Sequence, residues 1–149
     1  MSRIGFALCG SFCTHAAALT ALGALLACGH DIQPILSETA FATDTRFGCA
    51  AALRERLESL CGRAVIHTVP EAEPLGPARP LDALVICPCT GNTLAKLANG
   101  VTDSAVTMAA KAHLRADRPL LVSLASNDAM SANLCNIGIL LPRKNVFFV

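Results

Sequence analysis

The stretch "VICPCTGNTLAKLANGVTDS", Val85–Ser104, decides the fold. An apolar run stops at Pro88, which is flanked by Cys87 and Cys89. Small hydroxyl and amide residues follow, and then an amphipathic helical pattern begins. A short continuous apolar run closed by turn residues is a strand buried on both faces, and such strands belong to parallel sheets. A tight loop from strand end to helix start is also where such sheets hold ligands.

The rest of the chain repeats the alternation. "RIGFAL" (3–8) reads as a strand and "THAAALTALGALLACG" (14–29) as a helix, nearly apolar all round and stopped by Gly29. "DIQPIL" (31–36) is a second strand, whose Pro34 places it at an edge or a bulge. "CAAALRERLESLCG" (49–62) is an amphipathic helix with Gly62 as its stop, and "RAVIHT" (63–68) reads as a third strand. "VPEAEPLGPARP" (69–80), with its four prolines, reads as a semi-rigid extended connection. "LDALVIC" (81–87) is the fourth strand, with helices expected over Thr93–Asn99 and Ser104–Ala116. "RPLLVSL" (118–124) is the fifth strand, and a helix over Ser131–Leu140 leads to a sixth, "NVFFV" (145–149). This predicts one α/β domain over 1–149, a doubly wound Rossmann-like parallel sheet of order 3-2-1-4-5-6 with helices on both faces. The chain stops after its last strand without a covering helix, which reads as a missing tail.

In that order the first and fourth strands are neighbours, and "CGSFCTH" (9–15) faces "PCTGNT" (88–93) across the switch point. The two loops admit three uses. Gly10 permits close backbone approach, Ser11 and Thr14 add hydroxyls, and free helix N–H groups favour a phosphate. The bland counterpart is N-capping by Ser11 or Thr14, Ser37 and Thr93. The dinucleotide fingerprint G-x-G-x-x-G is absent, which favours a mononucleotide over a dinucleotide. Cys9, Cys13, Cys87 and Cys89 converge there, but their spacing is not a zinc knuckle. Cys13 or Cys89 near a helix start is a candidate nucleophile, with His15 close to Cys13 in sequence.

Composition narrows the class. Of the 149 residues, 53% are hydrophobic and 15% charged, the net charge is +1, and Trp and Tyr are absent, so no nucleic-acid footprint exists. So apolar a small domain is expected to cover surface in a homo-oligomer, a trimer or a multiple of one, through the 14–29 helix and the face after the fourth strand. No signal peptide or spanning segment is evident, and a cytoplasmic location is expected. The eight cysteines then read as free thiols, with Cys28, Cys49, Cys61 and Cys135 packing as small hydrophobes.

Pro88, Asn92, Thr93, Lys96, Ala98, Gly100 and Asp103 form P-x-x-x-N-T-x-x-K-x-A-x-G-x-x-D. With Gly10-Ser11 and Ser37-x-x-Ala40, this resembles the flavoprotein family of FMN-binding cysteine decarboxylases. The resemblance implies FMN, with phosphate contacts at Gly10, Ser11 and Ser37. It implies ring and ribityl contacts near Pro88, Thr90, Asn92, Thr93 and Ser126, and Ser104 at a second helix start also suits a phosphate. Asn92 and His67 are the catalytic candidates. After the fifth strand the decarboxylases carry P-x-M-N-x-x-M-W, where this chain has "LASNDAM" (124–130). Further matches at "TRFG", "AEPLGP", "PLD", "TGN", "MAAKA" and "SNDA" resemble a branch of sporulating bacteria. That branch implies a separate NAD(P)-dependent protein as partner, the A subunit of a two-protein enzyme, and oxidation of a small dicarboxylate precursor. Decarboxylation of a cysteine conjugate and a non-catalytic scaffold are the alternatives.

Overall fold

In the computed structural model, which describes residues 1–149, five strands form one parallel sheet. They are β1 (Arg3–Leu8), β2 (Asp31–Leu36), β3 (Ala83–Cys89), β4 (Leu120–Leu124) and β5 (Val146–Phe148), in the order β2-β1-β3-β4-β5. The helices are α1 (His15–Ala27), α2 (Glu38–Ala42), α3 (Ala50–Cys61), α4 (Val69–Ala72), α5 (Gly91–Asn99), α6 (Ala105–Arg115) and α7 (Leu134–Leu140). The expected switch is present: β1 pairs with β2 on one side and β3 on the other.

Strand alternation divides the core into two layers. Ile4, Phe6 and Leu8 of β1 pack with Leu22 of α1 and Leu57 of α3. Ala7 and Cys9 face the other way, with Leu84 and Ile86 of β3, Leu94 of α5 and Val106 of α6. Both faces of the central strands are therefore covered, which explains their unbroken apolar runs. No helix is long and apolar enough to cross a membrane.

Three expectations are corrected. The strand expected over 63–68 is a single bridge, Ile66 beside Ile35. It lies next to β2, where the third strand was placed, but does not extend. Pro34 supplies the reason. Its carbonyl accepts from the Ile66 N–H at 3.0 Å, so this side of β2 is the outer edge. A residue's N–H and C=O point to the same side of a strand, and proline has no N–H to give the incoming segment.

The proline segment is not extended. Residues 69–72 form α4, and Glu73–Leu75 a 3-10 turn. Thr68 caps α4, with Glu71 answering its backbone in a capping box, and a proline in the first turn loses no intrahelical bond. Leu75 and Leu81 are buried in the core layer beside α6.

The cysteines read as packing residues are mostly outside. Cys28, Cys49 and Cys135 are exposed and Cys61 is half-buried, whereas Cys9 and Cys89 are buried. An apolar helix such as α1 does not reveal its inner face by pattern. Ala18, Leu19 and Leu22 point inward and Cys28 does not.

His113 of α6 is fully buried, and its Nε2–H donates to the Pro119 carbonyl at 2.8 Å. Nδ1 is buried with no partner. Burial, with Arg118 adding to it, holds this imidazole below the ordinary histidine range despite the bond to Pro119. The unfolded chain therefore binds the proton more readily. The resulting stability is complete above the unfolded pKa of about 6.5 and is lost as pH falls through the folded value. Melting temperature is expected to fall as pH drops below about 6.5, with a shallower slope in His113→Gln. Parallel slopes in the two proteins would reject the assignment.

Candidate functional site

The loops after β1, β3 and β4 are tied together at the carboxyl end of the sheet. The Cys9 N–H donates to the Pro88 carbonyl at 3.1 Å, and the Ala125 N–H to the Cys89 carbonyl at 2.8 Å. The Thr90 hydroxyl donates to Thr93 at 3.1 Å, and the Thr93 hydroxyl to the Cys9 sulfur at 3.3 Å. A Cβ on Gly10 would lie 3.1 Å from Thr39 Cγ2, so the β1 loop leans on α2. A Cβ on Gly91 would lie 2.6 Å from Asn133 Nδ2 and 3.0 Å from Ser126 Oγ. The start of α5 therefore nests in the loop after β4.

The phosphate candidates keep free donors. Neither the Gly10 nor the Ser11 N–H bonds within the chain, and the Ser11 hydroxyl has no protein partner. Both stand just before the 3-10 turn Phe12–Thr14 that opens α1. Successive unpaired N–H groups at a helical start form an anion nest. Ser37 caps α2 by accepting from the Ala40 N–H at 3.2 Å, which leaves its own proton free to donate. Of the caps expected from sequence, Ser37 is one. Ser11 and Thr14 make no cap bond, and Thr90 rather than Thr93 caps α5.

That shift decides the place of Asn92. The helix starts at Gly91 instead of Thr93, so Asn92 is its second residue, exposed, with its amide unbonded. The N-cap alternative for Asn92 is therefore excluded. Thr90 and the buried Thr93 are engaged in the cap and the bond to Cys9. Pro88, after a cis peptide bond, brings its carbonyl to the β1 loop. Ser126 Oγ accepts from the Asp128 N–H at 3.2 Å and borders Gly91. Ser104 caps α6 in a capping box with Thr107, and its side-chain bonds all go to that residue.

His67 stacks on Phe41 of α2, ring centroids 3.7 Å apart and 4° from parallel. Its Nδ1 lies 3.4 Å from Glu71 Oε2. The His67 N–H, then Thr68, hold the Glu71 carboxyl below the usual carboxylate range. His67 thus reaches the site only through α2.

The cysteine chemistries do not assemble. Cys9 and Cys89 are buried, and burial pushes both thiols up, Cys89 furthest with Cys9 beside it. A buried thiol held in its neutral form is a poor nucleophile and a poor ligand. His15 Nε2 bonds the Cys9 carbonyl at 2.7 Å and is engaged there, away from the Cys13 thiol. No three His, Cys, Asp or Glu side chains cluster as metal ligands.

Sequence alone did not single out Gly91 and Asn133 as residues that shape the crevice. The T-G-N step held a signal for Gly91, because glycine at a helix start flanked by polar residues marks close approach by another segment.

The model of the family described as Flavoprotein matches residues 1–138. The B subunit of dipicolinate synthase from Bacillus subtilis (strain 168) is 44% identical over 147 residues, 99% of this chain and 74% of that protein. The crystal structure of the same B subunit from Bacillus halodurans superposes with a TM-score of 0.89 at 38% identity, covering 99% of this chain and 76% of the other. The FMN-dependent cysteine decarboxylase SpaF superposes with a TM-score of 0.77 at 25% identity, over 100% of this chain and 83% of its own.

Proposed function

The chain belongs to the Flavoprotein family, and we propose that it serves as the B subunit of a dipicolinate synthase. It acts with an NAD(P)-dependent A subunit in oxidising a dihydrodipicolinate-type precursor to dipicolinate. The observation that carries this reading is the 44% identity to the Bacillus subtilis protein across nearly the whole chain. The test is dipicolinate formation by each of the two proteins singly and by the pair with NAD(P). A rate with the NAD(P)-dependent protein on its own that equals the rate of the pair would reduce this chain to a scaffold.

FMN fits the residues present. The unpaired N–H groups of Gly10 and Ser11, the Ser11 hydroxyl and the free proton of Ser37 would hold its phosphate. Asn92 and Ser126 would contact the ring and ribityl chain, with Pro88, Thr90 and Thr93 shaping the loop that carries Asn92. Ser104 serves as a cap. When bound, FMN would supply two-electron redox chemistry. The chain's own part is to bind the anion, orient the ring and offer the Asn92 amide to a ligand edge or carboxylate. His67, held by Phe41 and Glu71, would act by positioning α2 beside the phosphate loop. A decarboxylase reading has support from the likeness to SpaF, but "LASNDAM" lacks that group's motif after β4. Self-association through α1 belongs to the same proposal, and a monomer in light scattering at micromolar concentration would remove it.

Asn92→Asp separates site from scaffold. A carboxylate at the second position of α5 complements the helix dipole by about 0.3–1 kcal/mol, so melting temperature is expected to hold or rise. Ligand affinity, measured in the presence of the NAD(P)-dependent partner, is expected to fall by about 1.5–3 kcal/mol as a donor becomes a repelling charge. Unchanged affinity and activity would mean that Asn92 has no ligand role.

A further inference from the structure

A second concave site lies beside the phosphate loop, outside the crevice. It is a groove of about 270 Å³ between the Phe12–Thr14 turn with α1 and the segment from α2 to α3. Phe12 and Phe47 give it aromatic walls, and Phe47 is 56% exposed. The charged side chain among its walls is Arg56, which forms no ion pair or hydrogen bond in the chain. Arg46 lies over the Phe47 ring at 4.9 Å and adds a second positive charge there. No carboxylate lines the groove. The neighbouring Asp44 is engaged, accepting from the Ala50 N–H at 2.8 Å at the start of α3. The Thr43 hydroxyl also lines the groove and makes no bond within the chain.

We propose that this groove binds a planar aromatic carboxylate. Its ring would lie against Phe12 and Phe47, with one carboxylate on Arg56 and a second polar group toward Thr43. The chemistry points to one class of ligand. A guanidinium pairs a carboxylate in bidentate fashion, and aromatic faces bury a flat ring at little entropic cost. The volume suits a single substituted ring, being at the small end of ligand pockets. The groove shares the Phe12–Thr14 turn with the phosphate loop, but none of Gly10, Ser11, Ser37, Asn92 or Ser126 lines it. Only the identity of the ring acid, the pyridine dicarboxylate that this chain would help to make, rests on the proposed function.

The groove carries its own reporters. Cys13 and Cys49 line it and are exposed, whereas Cys28 and Cys135 are exposed elsewhere. The experiment is alkylation by iodoacetamide, read at each cysteine by mass spectrometry. It is run with pyridine-2,6-dicarboxylate or benzene-1,3-dicarboxylate as probe. Cys13 and Cys49 are expected to be protected together, with Cys28 and Cys135 unchanged. Arg56→Gln, a change at an exposed position, is expected to weaken protection about tenfold or more by losing a charge-assisted pair. Protection by the benzene diacid but not the pyridine diacid upholds the groove and counts against the dipicolinate reading. Absence of protection with either probe, equal slowing of all four cysteines, or protection that survives Arg56→Gln overturns the proposal.

Discussion

Ser11→Glu is expected to abolish FMN binding while leaving the fold intact. The Ser11 hydroxyl makes no bond in the chain, so no folded-state contact is lost. A glutamate just before a helical turn even complements its dipole. Beside a phosphate the same carboxylate is repelled, by about 4 kcal/mol for each pair of unit charges 4 Å apart at an effective dielectric near 20. That corresponds to about a thousandfold in affinity from one pair alone. Ser11→Ala, which keeps the N–H groups and removes only one donor, is expected to cost about 1 kcal/mol. Fluorescence titration of FMN with the three proteins, alongside their melting curves, makes the comparison. Tight FMN retention by the glutamate variant would show that the Gly10–Ser11 turn is not the phosphate site.

The sheet was legible in the sequence because burial on both faces leaves a strong mark. Runs such as "LVIC" admit no amphipathic helix, and the helical stops Gly29, Gly62 and Gly100 adopt the positive φ that glycine tolerates. The switch point followed from strand order, so the two facing loops were placed correctly. Finer features depended on bonds that pattern does not report. Thr90 and Thr93 are both good caps by type, and the shift from one to the other moved Asn92 from outside the helix to its second position. The reach of 63–68 along β2 turned on one missing N–H at Pro34. Cys28 was misplaced because a helix as uniformly apolar as α1 presents no polar face to orient it, and Cys49 because it stands outside α3 as its cap. The groove beside Phe47 combines residues 12–19 with 40–56, a juxtaposition that belongs to the packing of α1 against α2 and α3.

Gly76→Ala is expected to be the most destabilising of the glycine-to-alanine changes in this chain. The proline segment is expected from sequence to be a semi-rigid extended connection. Instead, the turn at Glu73–Leu75 carries Gly76 onto α6, and a Cβ there would run into the Ala112 carbonyl oxygen and lie 2.9 Å from its carbon. The obstacle is helix backbone, not the flexible end of a side chain, and Ala112 is itself buried. Relief requires the turn to lift from α6, which would loosen the fully buried Leu75 and Leu81 from the core. The expected cost is about 2–4 kcal/mol, the upper range for overpacking against an unyielding neighbour. For a chain of this length that is a fall in melting temperature of roughly 5–15 °C. Gly23→Ala is the control of opposite sign. Gly23 lies inside α1 with nothing within 4 Å of its Cβ position, so alanine there is expected to stabilise by about 0.5–1 kcal/mol through helix propensity. Denaturant melts of the two variants decide the matter. A Gly76→Ala protein as stable as the parent would mean that the segment 69–80 does not pack on α6, and that the extended connection expected from its prolines was right.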